Sequence, residues 1–303
     1  MQIHTLDLNF QNLSHAIAAY LIEGPVGYLL IETGPMSTLP ALQSRLAEHG
    51  LSPGDIGDVV VTHIHLDHAG AAGWWAQHGA RVYVHPMGAP HLIEPERLWQ
   101  SATRIYGEAM ESLWGSILPA PAEQVIPVRD GQQITAAGVT LTAIDTPGHA
   151  GHHHTYRLGD IGFTGDAAGV RVPGSDWVSL PAPPPEFNRE LWWKTLDRLE
   201  AEKFAAIYPT HYGRVEDVAY QLGEIRGMIE DASTFVRARM EGGMERDDLV
   251  NAYVGWNRER ALSRGMAADD FARYEAANPL FMSVDGLMRY WRKRAEAEAR
   301  RSA

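Results

Sequence analysis

The stretch VVVTHIHLDHAGAAGWW, Val59 to Trp75, crowds three histidines and an aspartate into six residues directly after an apolar run. These four residues are His63, His65, Asp67 and His68. The segment Val59–Thr62 has the β-branched, apolar composition of a buried strand. Burying imidazole and carboxylate groups is costly unless another group compensates their lost hydration and their charge. The stretch therefore indicates that a compensating group lies at the end of this strand.

Alternation along a strand, or along the turn that leaves it, indicates how these side chains divide. Alternate residues point the same way, so His63 and His65 can share one metal ion, whereas Asp67 and His68 turn toward a second position. Three further residues of the same chemical types follow predicted strands beside Gly or Pro, where the backbone must turn. They are His149 in DTPGHAG, Asp166 in GFTGDAAG and His211 in YPTHYG.

The chain contains no cysteine, so any metal ion must be held by nitrogen and oxygen ligands. Imidazole and carboxylate ligands without thiolate suit zinc, iron or manganese. Two such ions about 3.5–4 Å apart can bind a bridging hydroxide and clamp a carbonyl or phosphoryl oxygen. We therefore expect two divalent metal ions, with zinc as first choice and iron or manganese as alternatives.

The motifs HIHLDH, TPGH, FTGD and PTHYG together resemble the metallo-β-lactamase superfamily, in the dinuclear arrangement of glyoxalase II and acyl-homoserine-lactone hydrolases. The resemblance covers about residues 1–215 and implies an α+β fold, an αββα sandwich with the site on one edge. It also implies a role for each candidate ligand. His63, His65 and His149 would bind the first metal, Asp67, His68 and His211 the second, and Asp166 would bridge the two.

One position departs from the family pattern. Many members carry an Asp in a DTG turn after the second strand, whereas this chain has Glu32-Thr33-Gly34. If Glu32 takes that place, its longer arm hydrogen-bonds a ligand loop in a different way. The alternative is a glutamate at a strand end that faces water.

Five further residues are candidates for substrate binding. His153 follows the ligand His149 closely and is expected in the pocket or behind a ligand. Tyr208 and Tyr212 flank His211, and a tyrosine near the metals binds the substrate carbonyl in lactone hydrolases of this superfamily. Arg171 and Trp177 lie on the Pro- and Gly-rich loop after Asp166, where family members line the substrate pocket.

The chain is predicted to divide near residue 215. Residues 1–215 alternate short strands with Gly and Pro turns and form the predicted catalytic domain, whereas residues 216–303 are predicted to form an all-helical extension. Its apolar residues must be buried by packing on one another, by homodimerisation or by leaning over the metal edge. We expect the third arrangement, in which the helices form one wall of a largely apolar pocket next to the Val170–Phe187 loop.

Composition limits the partners of the protein. The formal net charge is −12, and an acidic body repels polyanions, so nucleic acid is not an expected partner. No apolar run reaches the roughly 20 residues that span a bilayer. The first residues lack the pattern of a secretory signal, which predicts a cytoplasmic protein without a membrane partner.

These features predict a hydrolase in which a metal-bound hydroxide, oriented by Asp67, attacks a small ester, thioester or lactone. The alternatives are a phosphodiesterase acting on a small nucleotide or other phosphodiester, and an iron-dependent oxidoreductase similar to persulfide dioxygenases. Glyoxalase II activity itself is disfavoured because the sequence shows no basic set near the site that would read glutathione.

Overall fold

Two β-sheets with helices on their outer sides make up the computed structural model, which describes residues 1–302. The strands are β1 (Gln2–Asp7), β2 (Ala18–Gly24), β3 (Gly27–Ile31), β4 (Ile56–Val60), β5 (Arg81–Val84), β6 (Val125–Pro127), β7 (Gln133–Ala136), β8 (Val139–Asp145), β9 (His154–Leu158), β10 (Ile161–Gly165) and β11 (Ala206–Pro209). The α-helices are α1 (Leu39–Glu48), α2 (Leu66–Ala69), α3 (Ala72–Gln77), α4 (Ala89–Ile93), α5 (Glu96–Tyr106), α6 (Met110–Trp114), α7 (Arg189–Glu202), α8 (Val218–Glu241), α9 (Arg246–Ser263), α10 (Phe271–Ala277) and α11 (Leu280–Ser302).

The sheets are both mixed. The first has the order β1-β2-β3-β4-β5-β6, antiparallel from β1 to β3 and parallel from β3 to β6. The second has the order β11-β10-β9-β8-β7 and is antiparallel except for the parallel pair β10 and β11. As a result β8, β10 and β11 all run in one direction, and their carboxyl ends meet at one edge.

Two layers of apolar side chains hold the sandwich together. Tyr20 and Ile31 of the first sheet share one buried cluster with Leu141, Tyr156 and Phe163 of the second, so these faces pack on each other. The opposite faces of both sheets are covered by helices in a second cluster, which is continuous through the molecule. This arrangement confirms the predicted α+β sandwich.

Several predicted elements are confirmed. The turn dipeptide Gly24-Pro25 between two apolar runs predicts a hairpin, and the structure has there the antiparallel pair β2 and β3. Asparagine is a favoured residue at a helix start, so Asn188 predicts one. Helix α7 begins directly after it, and the Asn188 side chain accepts a hydrogen bond from the Leu191 amide. The strand predicted over Val59–Thr62 instead ends at Val60, because the Thr62 amide and hydroxyl donate to the Glu32 carboxylate rather than continuing the sheet.

The C-terminal helices α8 to α11 confirm the predicted helical region. They are not a separate globule, since Leu222, Ile225 and Met228 of α8 are buried in the same apolar cluster as Trp192 and Leu196 of α7. The domain boundary near residue 215 stays a prediction. Within residues 1–302, every helix is too short or too polar to cross a lipid bilayer.

Candidate metal centre

The candidate ligands all follow strands at one edge of the sandwich. After β4, a short loop carries His63 and His65, and α2 then carries Asp67 and His68. His149 follows β8, Asp166 comes directly after β10, and His211 follows β11. The turn before Asp166 requires glycine, since Gly165 has a φ of +50° and a Cβ there would lie 2.5 Å from the Thr62 hydroxyl.

The first group consists of His63, His65 and His149. The Nε2 atom of His63 lies 2.9 Å from Nδ1 of His65 and 3.2 Å from Nε2 of His149. Nδ1 of His65 lies 2.8 Å from Nε2 of His149. Three ring nitrogens on three different histidines therefore converge on one small volume, as a set of metal ligands would.

The second group consists of Asp67, His68 and His211. Oδ2 of Asp67 lies 3.4 Å from Nε2 of His211 and 3.7 Å from Nε2 of His68. Asp166 lies between the two groups: its Oδ1 is 3.3 Å from Nε2 of His68, and its Oδ2 is 3.3 Å from Nε2 of His149. The two carboxylate oxygens of Asp166 thus face different groups, which is the geometry of a bridging ligand.

Hydrogen bonds on the far side of these rings fix which nitrogen carries the proton. Nδ1 of His149 lies 2.7 Å from the Pro181 carbonyl, and Nδ1 of His211 lies 2.8 Å from the Ala16 carbonyl. A carbonyl oxygen only accepts, so both Nδ1 atoms donate and, in the neutral rings, both Nε2 atoms present lone pairs to the centre. This pattern is the usual one for metal-binding histidines.

A cation fits this centre for an electrostatic reason. Nε2 of His68, Nε2 of His211 and Oδ1 of Asp166 are buried and have no hydrogen-bond partner. Unpaired lone pairs that face one another in a buried space repel, and a bound cation converts that repulsion into ligation. The residues present therefore fit metal ions in both groups.

The protonation equilibria reflect the same crowding. Burial, together with the neighbouring charge of His68, lowers the pKa of His63 well below its usual value. Burial disfavours the charged forms of Asp67 and His68 as well, but their mutual attraction outweighs it. The pKa of Asp67 falls to about 2, and the carboxylates of Asp67, Asp166 and Glu32 raise the pKa of His68.

Glu32 joins three of the ligand-bearing segments. Its Oε1 atom accepts from Nδ1 of His68 at 3.1 Å, from the Thr62 hydroxyl at 2.5 Å and from the Thr210 hydroxyl at 3.1 Å. Thr62 and Thr210 directly precede His63 and His211. Glu32 is fully buried, so the expectation that it orients a ligand is confirmed and the water-facing alternative is wrong.

His153 lies behind Asp166 rather than in the pocket. Its Nε2 atom accepts a hydrogen bond from the Asp166 amide at 3.2 Å, and its Nδ1 donates to the Thr146 hydroxyl at 2.8 Å. The ring therefore holds the backbone of the bridging residue in place. Of the two positions expected for His153, in the pocket or behind a ligand, the structure has the second.

A cavity of about 380 Å³ opens onto the candidate ligands His65, Asp67, His149 and Asp166. Its walls are mainly apolar and come from three places: α4 to α6, the loop at residues 181–186, and the start of α11 with the end of α10. The expectation that the C-terminal helices form one wall is confirmed by Ala276, Ala277, Pro279 and Met282, which line the cavity.

Like His153, the other four predicted substrate-binding residues do not line this cavity. Tyr208 is buried between the sheets against Phe163, and Trp177 is buried in the outer apolar layer. Tyr212 packs against His15, and Arg171 forms an ion pair with Asp176. They are turned away because the chain leaves His211 and Asp166 toward a different surface, where Arg171 and Tyr212 border a separate cleft.

Tyr106 at the end of α5 is a pocket residue that sequence reasoning missed. Among residues 1–302 its hydroxyl has one hydrogen-bond acceptor, the Met282 sulfur at 2.9 Å, and a thioether is a weak acceptor. Burial and the charge of Asp67 raise the pKa of Tyr106, so the hydroxyl stays a proton donor. No motif surrounds it in the sequence, and only the fold brings it into the cavity that opens onto the candidate ligands.

His85, Asp145 and His154 form a further cluster of histidine and carboxylate side chains, outside the two ligand groups. Nε2 of His154 lies 2.7 Å from Oδ1 of Asp145, and Nε2 of His85 lies 3.6 Å from the same oxygen. Nδ1 of His85 accepts the Met87 amide, so its proton sits on Nε2, the nitrogen that would have to bind a metal. This cluster therefore fits a hydrogen-bonded network better than a metal ion.

Comparisons with known proteins agree with this geometry. The sequence profile of the metallo-beta-lactamase superfamily matches residues 15–211. A metallo-beta-lactamase fold-containing protein from Sulfurisphaera tokodaii is 30% identical over 144 residues, which are 46% of this chain and 54% of that protein. An atrochrysone carboxyl ACP thioesterase from Aspergillus fumigatus is 26% identical over 198 residues, 64% of this chain and 37% of the thioesterase.

Solved structures extend the likeness to the whole fold. A metallo-beta-lactamase family protein from Thermus thermophilus superposes with a TM-score of 0.70 at 23% identity, covering 97% of this chain and 94% of that protein. The chain spans only about half, or less, of the length of the two relatives compared by sequence. With the sandwich, the strand-end histidines and the profile match taken together, the chain belongs to the metallo-β-lactamase superfamily.

Proposed function

We propose that this protein is a metal-dependent hydrolase that cleaves a small ester, thioester or lactone with a largely apolar acyl group. The observation that supports it best is the cavity of about 380 Å³, whose mainly apolar walls end at the candidate metal ligands. Cavities of this size and polarity bind small organic molecules through burial, with a few polar groups fixing orientation. An apolar wall suits a hydrocarbon chain better than a charged phosphodiester.

Two divalent cations, zinc as first choice, would polarise the carbonyl of the substrate and activate water at neutral pH. His63, His65 and His149 would hold one, Asp67, His68 and His211 the other, and Asp166 would contact both. Pro181, Ala16 and Glu32 accept the outer protons of His149, His211 and His68, so Nε2 of each ring faces the centre.

The chain's own groups would then order the reactants. Asp67 is ionised at neutral pH and lies at the cavity surface, so it can accept a hydrogen bond from the attacking water and orient it. The Tyr106 hydroxyl can exchange its weak thioether partner for the developing oxyanion of the substrate. The walls from α5 and α11 exclude bulk water, which strengthens both interactions.

Thioesters are the first substrates to test, because a relative that matches 64% of this chain is named as a thioesterase. Purified protein would be analysed for its metal content and assayed with acyl thioesters, lactones, phosphodiesters and a glutathione persulfide. We expect about two metal ions per chain and fastest turnover of an apolar thioester or lactone. Fastest turnover of a phosphodiester, or oxygen consumption with the persulfide, would replace this proposal with one of its alternatives.

A further inference from the structure

Helix α5 presents two parallel stripes to the cavity. Leu98, Ala102 and Ile105 form an apolar stripe, and beside it Arg97, Ser101 and Arg104 form a polar one. The spacing of four and then three residues places each set along one face of the helix, over about two turns. One wall of an otherwise apolar cavity thus carries two guanidinium groups.

These two arginines are unusual among the arginines of the α/β region. Residues 1–216 contain ten arginines, and seven of them pair with a carboxylate. The exceptions are Arg97, Arg104 and Arg129, and the first two line the cavity. The Ser101 hydroxyl between them also has no hydrogen-bond partner among residues 1–302. Most arginines of this acidic protein form ion pairs with carboxylates, whereas among residues 1–302 Arg97 and Arg104 form none.

The helix dipole favours Arg104, which lies in the last turn of α5, but it does not explain the placement of Arg97. Arg97 lies in the first turn of α5, where the partial positive charge of the helix end disfavours a cation. The residue before the helix, Pro95, provides no side-chain cap, so the first amides of α5 also lack a side-chain acceptor. Both features increase the attraction for an anion at this end of the helix, and they act against the charge of Glu96, which also lies in the first turn.

The solvent exposure of the lining side chains increases from the base of the cavity to its mouth. Asp166 at the base is 3% exposed, whereas Arg97 and Arg104 are exposed to solvent. Apart from the candidate ligands Asp67 and Asp166, the carboxylate of the lining is Glu186, which already accepts the Gly151 amide at 2.7 Å and lies 3.6 Å from His152. It therefore does not neutralise the arginines of α5.

We propose that Arg97 and Arg104 bind an anionic group of the substrate at the cavity mouth, while the apolar walls hold its hydrocarbon part. This inference rests on the proposed hydrolase function and narrows it to amphipathic acyl substrates. The anion is a phosphate on the leaving group or a carboxylate at the far end of the acyl chain. Both have the oxygen geometry that arginine binds with paired hydrogen bonds.

Three thioesters of one chain length distinguish these sources. The first joins decanoate to N-acetylcysteamine and is neutral, the second joins decanoate to 4′-phosphopantetheine, and the third joins a dicarboxylic acyl chain to N-acetylcysteamine. In the Arg97→Ala/Arg104→Ala double variant, we expect the ratio of kcat/KM for an anionic over the neutral substrate to fall about ten- to a hundredfold. The substrate whose ratio falls identifies the position of the anion.

Arg129→Ala is the matched control, because Arg129 is the third unpaired arginine and lies outside the cavity lining. A ratio that is the same in wild type and double variant, or that falls equally in Arg129→Ala, would overturn the proposal.

Calorimetric binding of 1-decanesulfonate distinguishes failure of the proposed anion site from failure of the proposed hydrolase function. If no thioester turns over but the double variant still loses about tenfold in sulfonate affinity, the anion site stands and the reaction is wrong. Equal affinity in both proteins overturns the anion site itself.

Discussion

The α/β region and the C-terminal helices contribute to the metal centre in opposite ways. The α/β region carries all seven candidate ligands, each at the end of a strand or in α2. Helices α8 to α11 carry none of them, yet α10 and α11 hold the loop that orients one ligand. The difference shows that strand ends place the candidate metal ligands. The position of a ligand side chain is then fixed in part by contacts from helices that lie outside the ligand motifs.

The support from the C-terminal helices runs through a short chain of hydrogen bonds. The Asn278 side-chain amide donates to the Leu180 carbonyl at 3.0 Å, and the Ser283 hydroxyl donates to the same carbonyl at 2.8 Å. The Ser283 hydroxyl also accepts from the backbone amide of Ala182 at 3.1 Å. Gly286 allows close approach, since a Cβ there would lie 1.9 Å from the Ala182 oxygen. Pro181 lies between these residues, and its carbonyl accepts the outer proton of His149.

The largest effect is expected in the α/β region itself. Asp67→Ala should lower kcat/KM by about a thousandfold or more, because it removes both a metal ligand and the group that orients water. Circular dichroism should show an unchanged fold, since Asp67 lies at the cavity rather than in the core. Asp197→Asn, which changes an exposed carboxylate of α7, is the control. Near-native turnover in Asp67→Ala would exclude the proposed mechanism.

The next effect separates the two ligand groups. Glu32 accepts four hydrogen bonds, three at Oε1 and one at Oε2. In Glu32→Gln one of these oxygens becomes an amide nitrogen, which donates, so the donors that face it lose their acceptor. We expect metal affinity of the Asp67–His68–His211 group to fall about ten- to a hundredfold, measured by competition with a coloured chelator. Glu23→Gln changes an exposed glutamate of β2 and should have no effect. Equal weakening of both groups would show that Glu32 stabilises the fold rather than one group.

The comparison between the regions is tested most directly by the loop contacts. In Asn278→Ala/Ser283→Ala, we expect the His63–His65–His149 group to lose about tenfold in metal affinity, with the second group unaffected. The readout is the same chelator competition. Ser263→Ala, which removes an exposed hydroxyl of α9, is the control. Point variants are preferable to truncation after Gly213, which would also expose the apolar cluster shared by α7 and α8. Unchanged affinity would mean that the C-terminal helices form a wall only.

The smallest effect is expected for the Tyr106 hydroxyl, which joins α5 of the α/β region to Met282 of α11. Tyr106→Phe should lower kcat/KM by about tenfold through loss of one hydrogen bond to the oxyanion, mainly in kcat. Tyr28→Phe on β3 serves as the control. In Met282→Leu the hydroxyl keeps its place without the sulfur, so activity should stay close to wild type. A similar loss in Met282→Leu would instead assign the Tyr106 contact to pocket structure.

Local sequence was sufficient for elements whose side chains decide their own conformation. The Gly24-Pro25 hairpin and the Asn188 helix start follow from turn and capping chemistry over a few residues. By contrast, the sequence does not predict β1, β6, β7 or helices α4 to α6, since their short apolar segments lack a clear period and are fixed by neighbouring elements. The missed helices form the cavity wall, so the substrate-binding residues chosen from sequence lay elsewhere.

The sequence by itself determined the fold class and the set of candidate ligands, because the ligand types, their spacing and the adjoining turn residues are local properties of the chain. It also determined the absence of thiolate ligands. Only the tertiary structure decided that Glu32 joins three ligand segments and that Tyr106, Arg97 and Arg104 border the cavity. These relations depend on contacts between residues far apart in the chain, and a side chain's direction there is set by packing rather than by its sequence neighbours.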